Sequence, residues 1–186
     1  YSLPLGPLGR LGGSAIVRRR LDRMFAWRHA VTQGDIAAHQ RANLAPMRIA
    51  ISGATGMIGR ALAAYLATAG HTIVPISRSP LTNIPGGEPL SMAPAVVWDP
   101  EAGTIDASAL EGVDAVIHLA GEPIARDQWI PPARWTEDSK RRIRDSRVQG
   151  TELLARTIAN LATPPRVFIS ASAIGIYGDR GDTLLP

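Results

Sequence analysis

The sequence predicts an α/β domain built on a doubly wound parallel sheet from Met47 onward. Three observations carry this. Short apolar strand runs alternate with helical stretches; a glycine-rich turn, Gly53-Ala54-Thr55-Gly56-Met57-Ile58-Gly59, follows the first strand and opens a helix; and a second strand arrives on schedule behind that helix.

The elements follow in order. Residues 1–13 are rich in Pro and Gly and are not expected to form a long regular element. From Ser14, a fitting N-cap, to about Asn43 the pattern is helical, with Ile16, Leu21, Met24, Phe25, Ala30 and Ile36 as its apolar stripe and Gly34-Asp35 as a point of interruption. Such a stripe needs a partner surface. Ala45-Pro46 closes the segment, and Met47–Ser52 is the first strand. Residues 57–69 form a helix ended by Gly70, and His71–Ser77 a second strand, with His71 itself solvated. A Pro/Gly-rich loop over 79–94 leads to a strand at Ala95–Trp98, a brief helix near 107–111 and a strand at Val113–Leu119. A long helix at about 136–162 and a strand at Arg166–Ser170 complete the pattern.

Composition narrows the class. Of the 186 residues 45% are apolar and 19% charged, which excludes a wholly disordered chain. No run reaches the roughly 18 apolar residues of a membrane-spanning helix, so no membrane partner is expected. Without cysteine there is no disulfide framework, thiolate zinc site or cysteine nucleophile, which fits a reducing, cytoplasmic setting. The formal charge of +4 is carried almost wholly by arginine, Lys140 being the only lysine. Only Arg18-Arg19-Arg20 and Arg141-Arg142 cluster, both on expected helices where such runs are solvated faces, so no nucleic-acid partner is expected.

A glycine-rich turn between strand and helix lets backbone approach a pyrophosphate, whose charge then lies on the helix N-terminus. Here the spacing is GxxGxxG rather than GxGxxG, and the competing reading is a tight turn with no ligand. Gly59 would let the helix pack closely on the strand. Where NAD enzymes offer an acidic residue to the ribose, this chain has Ser77-Arg78. An arginine there suits a 2′-phosphate, which favours NADP over NAD; a surface arginine at a strand end is the alternative. No HExxH, GxSxG or P-loop pattern occurs, and His29 and His39 lack the spacing of a helical metal pair, so no metal site is expected.

With these residues in hand, the chain resembles the atypical extended short-chain dehydrogenase/reductases described as NAD-dependent epimerase/dehydratase-like, some of whose members bear a cell-division-inhibitor label. The matching stretches include Gly53–Gly59, Ser77-Arg78, Trp98-Asp99-Pro100, Asp114–Ile124, Trp135-Thr136, Ser146-Arg147, Gly150-Thr151 and Ser170–Gly178. The resemblance implies a Rossmann-like sheet, here truncated, over residues 45–186. Residues 1–44 resemble the C-terminal helix of a partly missing START-like α+β ligand-binding domain plus linker, which some bacterial members carry in front. Since the chain starts at Tyr1 and stops at Leu184-Leu185-Pro186, both ends read as cuts through a longer protein.

The resemblance also assigns roles. Gly53, Thr55, Gly56, Met57, Ile58 and Gly59 would hold the cofactor's phosphates, and Ser77 and Arg78 its ribose end. Leu119, Ala120 and Gly121 would line the crevice with backbone. Asp99 would meet the adenine amino group or simply start a turn; Arg147 would reach the cofactor or lie on a solvated helix face. His118 is expected to sit in its strand rather than move protons; Trp129 and Trp135, flanking Pro131-Pro132, would either cover the nicotinamide end or simply pack their loop.

The family's usual acid/base machinery is a Tyr with a Lys four residues on, supported by Ser and Asn. It is not intact. Tyr1, Tyr65 and Tyr177 are followed at that spacing by Leu5, Ala69 and Gly181; Ala173 stands in the serine column and Arg147 in the asparagine column. Ser172 and Tyr177 are the remaining catalytic candidates. The sequence therefore points to an NADP(H)-binding oxidoreductase or epimerase-like protein acting on a small molecule. The alternative is a non-catalytic NADP(H)-sensing module coupled to the upstream ligand-binding domain.

Overall fold

The computed structural model describes residues 6–79, 93–124, 136–173 and 178–184. The chain divides into two compact units, residues 1–45 and 46–186.

The first unit is a single helix, α1 (Gly6–Ala42). This corrects the expectation for residues 1–13: the helix begins at Gly6, well ahead of Ser14. Pro7 falls in the first turn, where its missing N–H has no intrahelical acceptor to lose. Glycines further in lower helix propensity by about 1 kcal/mol each relative to Ala, without clashing with the helix. Gly34-Asp35 does not interrupt it. The expected apolar stripe is absent as well. At about 100° per residue, Ile16, Leu21, Met24, Phe25, Ala30 and Ile36 spread around the axis, and all are exposed. The helix ends where Asn43 adopts a positive φ of 44° and donates its N–H to the His39 carbonyl.

The second unit is a six-stranded sheet: β1 (Arg48–Ser52), β2 (Thr72–Ser77), β3 (Val96–Asp99), β4 (Thr104–Ile105), β5 (Ala115–His118) and β6 (Val167–Ser170), in the order β4-β3-β2-β1-β5-β6. All pairs are parallel except β3–β4, an edge hairpin that the sequence did not announce. Helix α2 (Met57–Thr68) joins β1 to β2; a 3-10 turn (Ala107–Leu110) precedes β5; and α3 (Glu137–Ala159) lies between β5 and β6. Pro75, which has no N–H to give, immediately precedes Ile76, the first residue of β2 paired with β3.

Side-chain alternation along β1 explains the two faces. Ile49 and Ile51 point to one face and pack with Ile73, Ala54 and Ala63 of α2. Ala50 points to the other, with Val74, Ile76, Val96, Trp98, Val116, Leu110 and Leu154 of α3. Helices on opposite faces of a parallel sheet require strands buried on both sides, and β1 is buried from Ile49 to Ser52. This is the doubly wound, Rossmann-like sheet expected from the alternation. His71 departs from expectation: it is buried, because its Nδ1 accepts the Met47 N–H at 3.0 Å and joins the entrances of β1 and β2.

Candidate functional site

Parallel strands bring their carboxyl ends to one edge, and that edge collects the predicted residues. β1 lies between β2 and β5, with Ser52 in register with Ile76 on one side and His118 on the other. The chain leaves β1 toward α2 on one face, while β5 leads on toward α3 on the other. A crevice therefore opens between the two strand ends, the position where open α/β sheets bind ligands.

Gly53 begins the turn out of β1 with φ +74°, a conformation that L side chains rarely adopt. A Cβ there would lie 3.0 Å from the Ala120 nitrogen and the Leu119 carbonyl carbon, so the turn touches the exit of β5. The Gly56 N–H closes the turn onto the Gly53 carbonyl at 2.9 Å, and Arg60 N bonds back to the Gly56 carbonyl. Gly59 sits over the turn so closely that a Cβ would stand 2.0 Å from the Gly53 carbonyl oxygen. Gly56 caps α2 in extended conformation with no side-chain hydrogen bond, and Thr55, Met57 and Ile58 are exposed. The first amides of α2 have no intrahelical acceptor and no side-chain cap, and they follow a turn whose glycines pack on backbone atoms. That cradle fits a diphosphate.

At the end of β2 the Ser77 hydroxyl donates to the Ser79 carbonyl, fixing the bend that displays Arg78. Arg78 is exposed, with no bonding partner among the described residues. At the end of β3 the Asp99 carboxylate accepts from the Glu101 and Ala102 amides at 3.0 and 3.2 Å, so the turn-starting role is its observed one.

Beyond β5, helix α3 holds the loop. Ser146 Oγ accepts the Glu122 N–H at 2.9 Å; Arg147 Nη1 donates to the Glu122 carbonyl at 3.2 Å and to the Ile143 carbonyl at 2.9 Å. Its guanidinium lies across Gly121, where a Cβ would come within 3.2 Å of Cζ. Arg147 is therefore anchored at the crevice rim rather than on the open face of α3, where Lys140–Glu137, Arg141–Asp138 and Arg156–Glu152 pair in solvent. Ser172 is exposed just past β6, on the same edge. Tyr177, Trp129 and Trp135 lie outside the described residues.

Sequence reasoning overlooked Ser52, which is fully buried at the end of β1. Its Oγ accepts the Leu119 and Ala120 amides at 3.1 and 3.2 Å and lies 2.6 Å from His118 Nδ1. The one available signal was a serine closing an apolar strand directly before the glycine turn. His118 is buried in its strand as expected, edge-on to Trp98 with ring centroids 5.8 Å apart, and burial lowers its pKa. Among the described residues no three His, Asp or Glu gather as metal ligands, and no helix is long and apolar enough to cross a membrane.

The family described as "NAD dependent epimerase/dehydratase family" matches residues 49–185. The chain belongs to this epimerase/dehydratase family. An epimerase family protein of Mycobacterium leprae is 36% identical over 137 residues, covering 74% of this chain and 39% of the relative. A human epimerase family protein is 34% identical, covering 70% and 38%. Among solved structures, the nucleoside-diphosphate sugar epimerase of Corynebacterium glutamicum superposes with a TM-score of 0.63 at 35% identity, covering 87% of this chain and 31% of that one. The chain thus spans about two fifths of the curated relatives' length. Family members occur in bacteria, animals and plants alike. The matched region, from β1 onward, contains every element that forms this edge of the sheet.

Proposed function

We propose that this chain provides the cofactor half of an NADP(H)-dependent oxidoreductase or epimerase that acts on a small molecule in the cytoplasm. One observation carries the reading: the uncapped α2 amides follow a glycine turn packed on backbone, while Arg78 is displayed two residues past the register of Ser52 on the neighbouring strand. A bound nicotinamide would supply hydride exchange with a substrate carbon. The chain's own residues bind and orient. Gly53, Thr55, Gly56, Met57, Ile58 and Gly59 hold the diphosphate, Ser77 and Arg78 the 2′-phosphate, and Leu119–Gly121 with Arg147 the rim beyond β5. Asp99, already engaged in its turn through Oδ1, borders the adenine end.

Ser172 and Tyr177 are the candidates beside the reacting carbon. The Corynebacterium glutamicum protein's description as a nucleoside-diphosphate sugar epimerase makes a nucleotide sugar the first substrate class to test. The second reading, an NADP(H) sensor without turnover coupled to a START-like domain contributed in part by residues 1–44, draws on Gly181, which stands four residues after Tyr177 in place of a lysine. Lys140, the only one, is spent on Glu137 on the exposed face of α3.

Titrating tryptophan fluorescence with NADPH and NADH tests the binding reading. Saturable quenching stronger for NADPH, with that preference lost in Arg78→Glu, is expected; equal response of both proteins to both nucleotides would discard NADP selectivity. Turnover of nucleotide sugars by the intact protein, against binding alone, separates enzyme from sensor.

A further inference from the structure

Ser52 Oγ has a complete set of partners. It accepts two amides, Leu119 N–H at 3.1 Å and Ala120 N–H at 3.2 Å, which occupy both of its lone pairs. Its single proton is left for His118 Nδ1, 2.6 Å away. His118 Nδ1 is then an acceptor, and the neutral ring carries its proton on Nε2. The ring cannot swing away from this role. Trp98 meets it edge-on, and α3 closes over it at Gly150, where a Cβ would lie 3.2 Å from His118 Cε1 and 3.2 Å from Trp98 Cη2.

The amides that Ser52 holds belong to the two residues touching Gly53 across the crevice. Leu119 N also reaches the Ser52 carbonyl at 3.1 Å, whereas Ala120 N has, among the described residues, the hydroxyl alone as its partner. Leu119 is thus tied to β1 by backbone as well, while the Ala120 amide is held through a hydroxyl whose direction is set by one histidine.

We propose that Ser52 and His118 are positioning residues for the cofactor: the His118 ring orients the Ser52 hydroxyl, which holds Leu119–Ala120 against Gly53 and so sets the crevice for a dinucleotide. This rests on the cofactor reading above, and it adds a pair that touches neither substrate nor cofactor. It also means that the Leu119 and Ala120 N–H groups are spent inside the protein, leaving the rim to bind through other groups.

The test uses three variants of the 186-residue chain, with NADPH titration by fluorescence and amide hydrogen exchange at Ala120. Ser52→Ala removes the clasp and should weaken NADPH binding about tenfold, with Ala120 exchange accelerated. His118→Asn and His118→Gln both delete the ring and share any packing penalty. Asn, however, puts a carbonyl oxygen at the position of Nδ1, whereas Gln carries it one atom further. Asn should keep affinity within about threefold of wild type and Ala120 protected, while Gln should behave like Ser52→Ala. Equal behaviour of Asn and Gln, or a folded Ser52→Ala that binds as wild type does, overturns the proposal; if Ser52→Ala fails to fold, the Asn/Gln contrast decides. Wild type silent toward both NADPH and NADH would sink the cofactor reading and this role together, whereas wild-type binding unaffected by the variants sinks only the role.

Discussion

The α-carbon of Gly59 is packed so tightly on the Gly53 carbonyl that a methyl group added to it would stand 2.0 Å from that oxygen and 2.8 Å from the Ala54 α-carbon. Both obstacles are backbone, so neither can rotate away. Gly59→Ala should cost at least about 2 kcal/mol of stability and abolish nucleotide binding, as overpacking in a rigid site does. The same substitution at Gly34, in α1 with nothing within 4 Å of the added carbon, should instead favour the helix by roughly 1 kcal/mol. Denaturant unfolding and helical ellipticity of the two variants, side by side, would show opposite signs.

Acid should weaken the second unit through His118. Burial depresses its pKa below the ordinary 6.5. Ser52, Trp98 and Gly150 face the ring, and none offers a charge to offset protonation. In the interval below 6.5 the unfolded chain takes up a proton that the folded chain refuses, so this stability is complete above that pH and lost as pH falls through it. Urea midpoints measured from about pH 7.5 down to 5 should fall, and the slope should flatten in His118→Asn. An unchanged slope would assign the acid sensitivity elsewhere.

Arg147→Ala removes the guanidinium from Gly121 and from the Glu122 carbonyl. Since the side chain is exposed, stability should change by less than about 0.5 kcal/mol. NADPH affinity should nevertheless drop severalfold, because the rim beyond β5 loses its strap. Calorimetric titration of the variant against the Arg156→Ala control, whose arginine pairs with Glu152 in solvent, separates a rim effect from loss of charge.

Glu111 receives the Ala162 N–H on one carboxylate oxygen at 2.9 Å and the Thr163 N–H on the other at 2.8 Å, tying the end of the α3 segment to the turn before β5. Glu111→Gln exchanges one acceptor for an NH2 that faces a donor. A loss of about 1 kcal/mol in thermal or denaturant unfolding is expected, with nucleotide binding unchanged, because this contact lies at the opposite edge of the sheet from the crevice.

Much of this was legible in the chain itself. Apart from the short β4, the strand and helix order from Met47 onward followed from local periodicity, since a parallel strand buried on both faces must be a short continuous apolar run, as Ile49–Ile51 is. The glycine turn announced a crevice, because at Gly53 and Gly59 only glycine allows the close backbone approaches seen there. The α1 boundaries were misjudged for a local reason: glycines and a first-turn proline weaken a helix without forbidding it. Tertiary structure alone decided what depends on residues distant in sequence. Ser52 and His118 are 66 positions apart, Met47 and His71 24, Gly121 and Arg147 26, and no periodicity links such pairs. Sequence determines which face of an element is apolar; only the register of β1 with β2 and β5 determines which polar atoms that face brings within hydrogen-bonding distance.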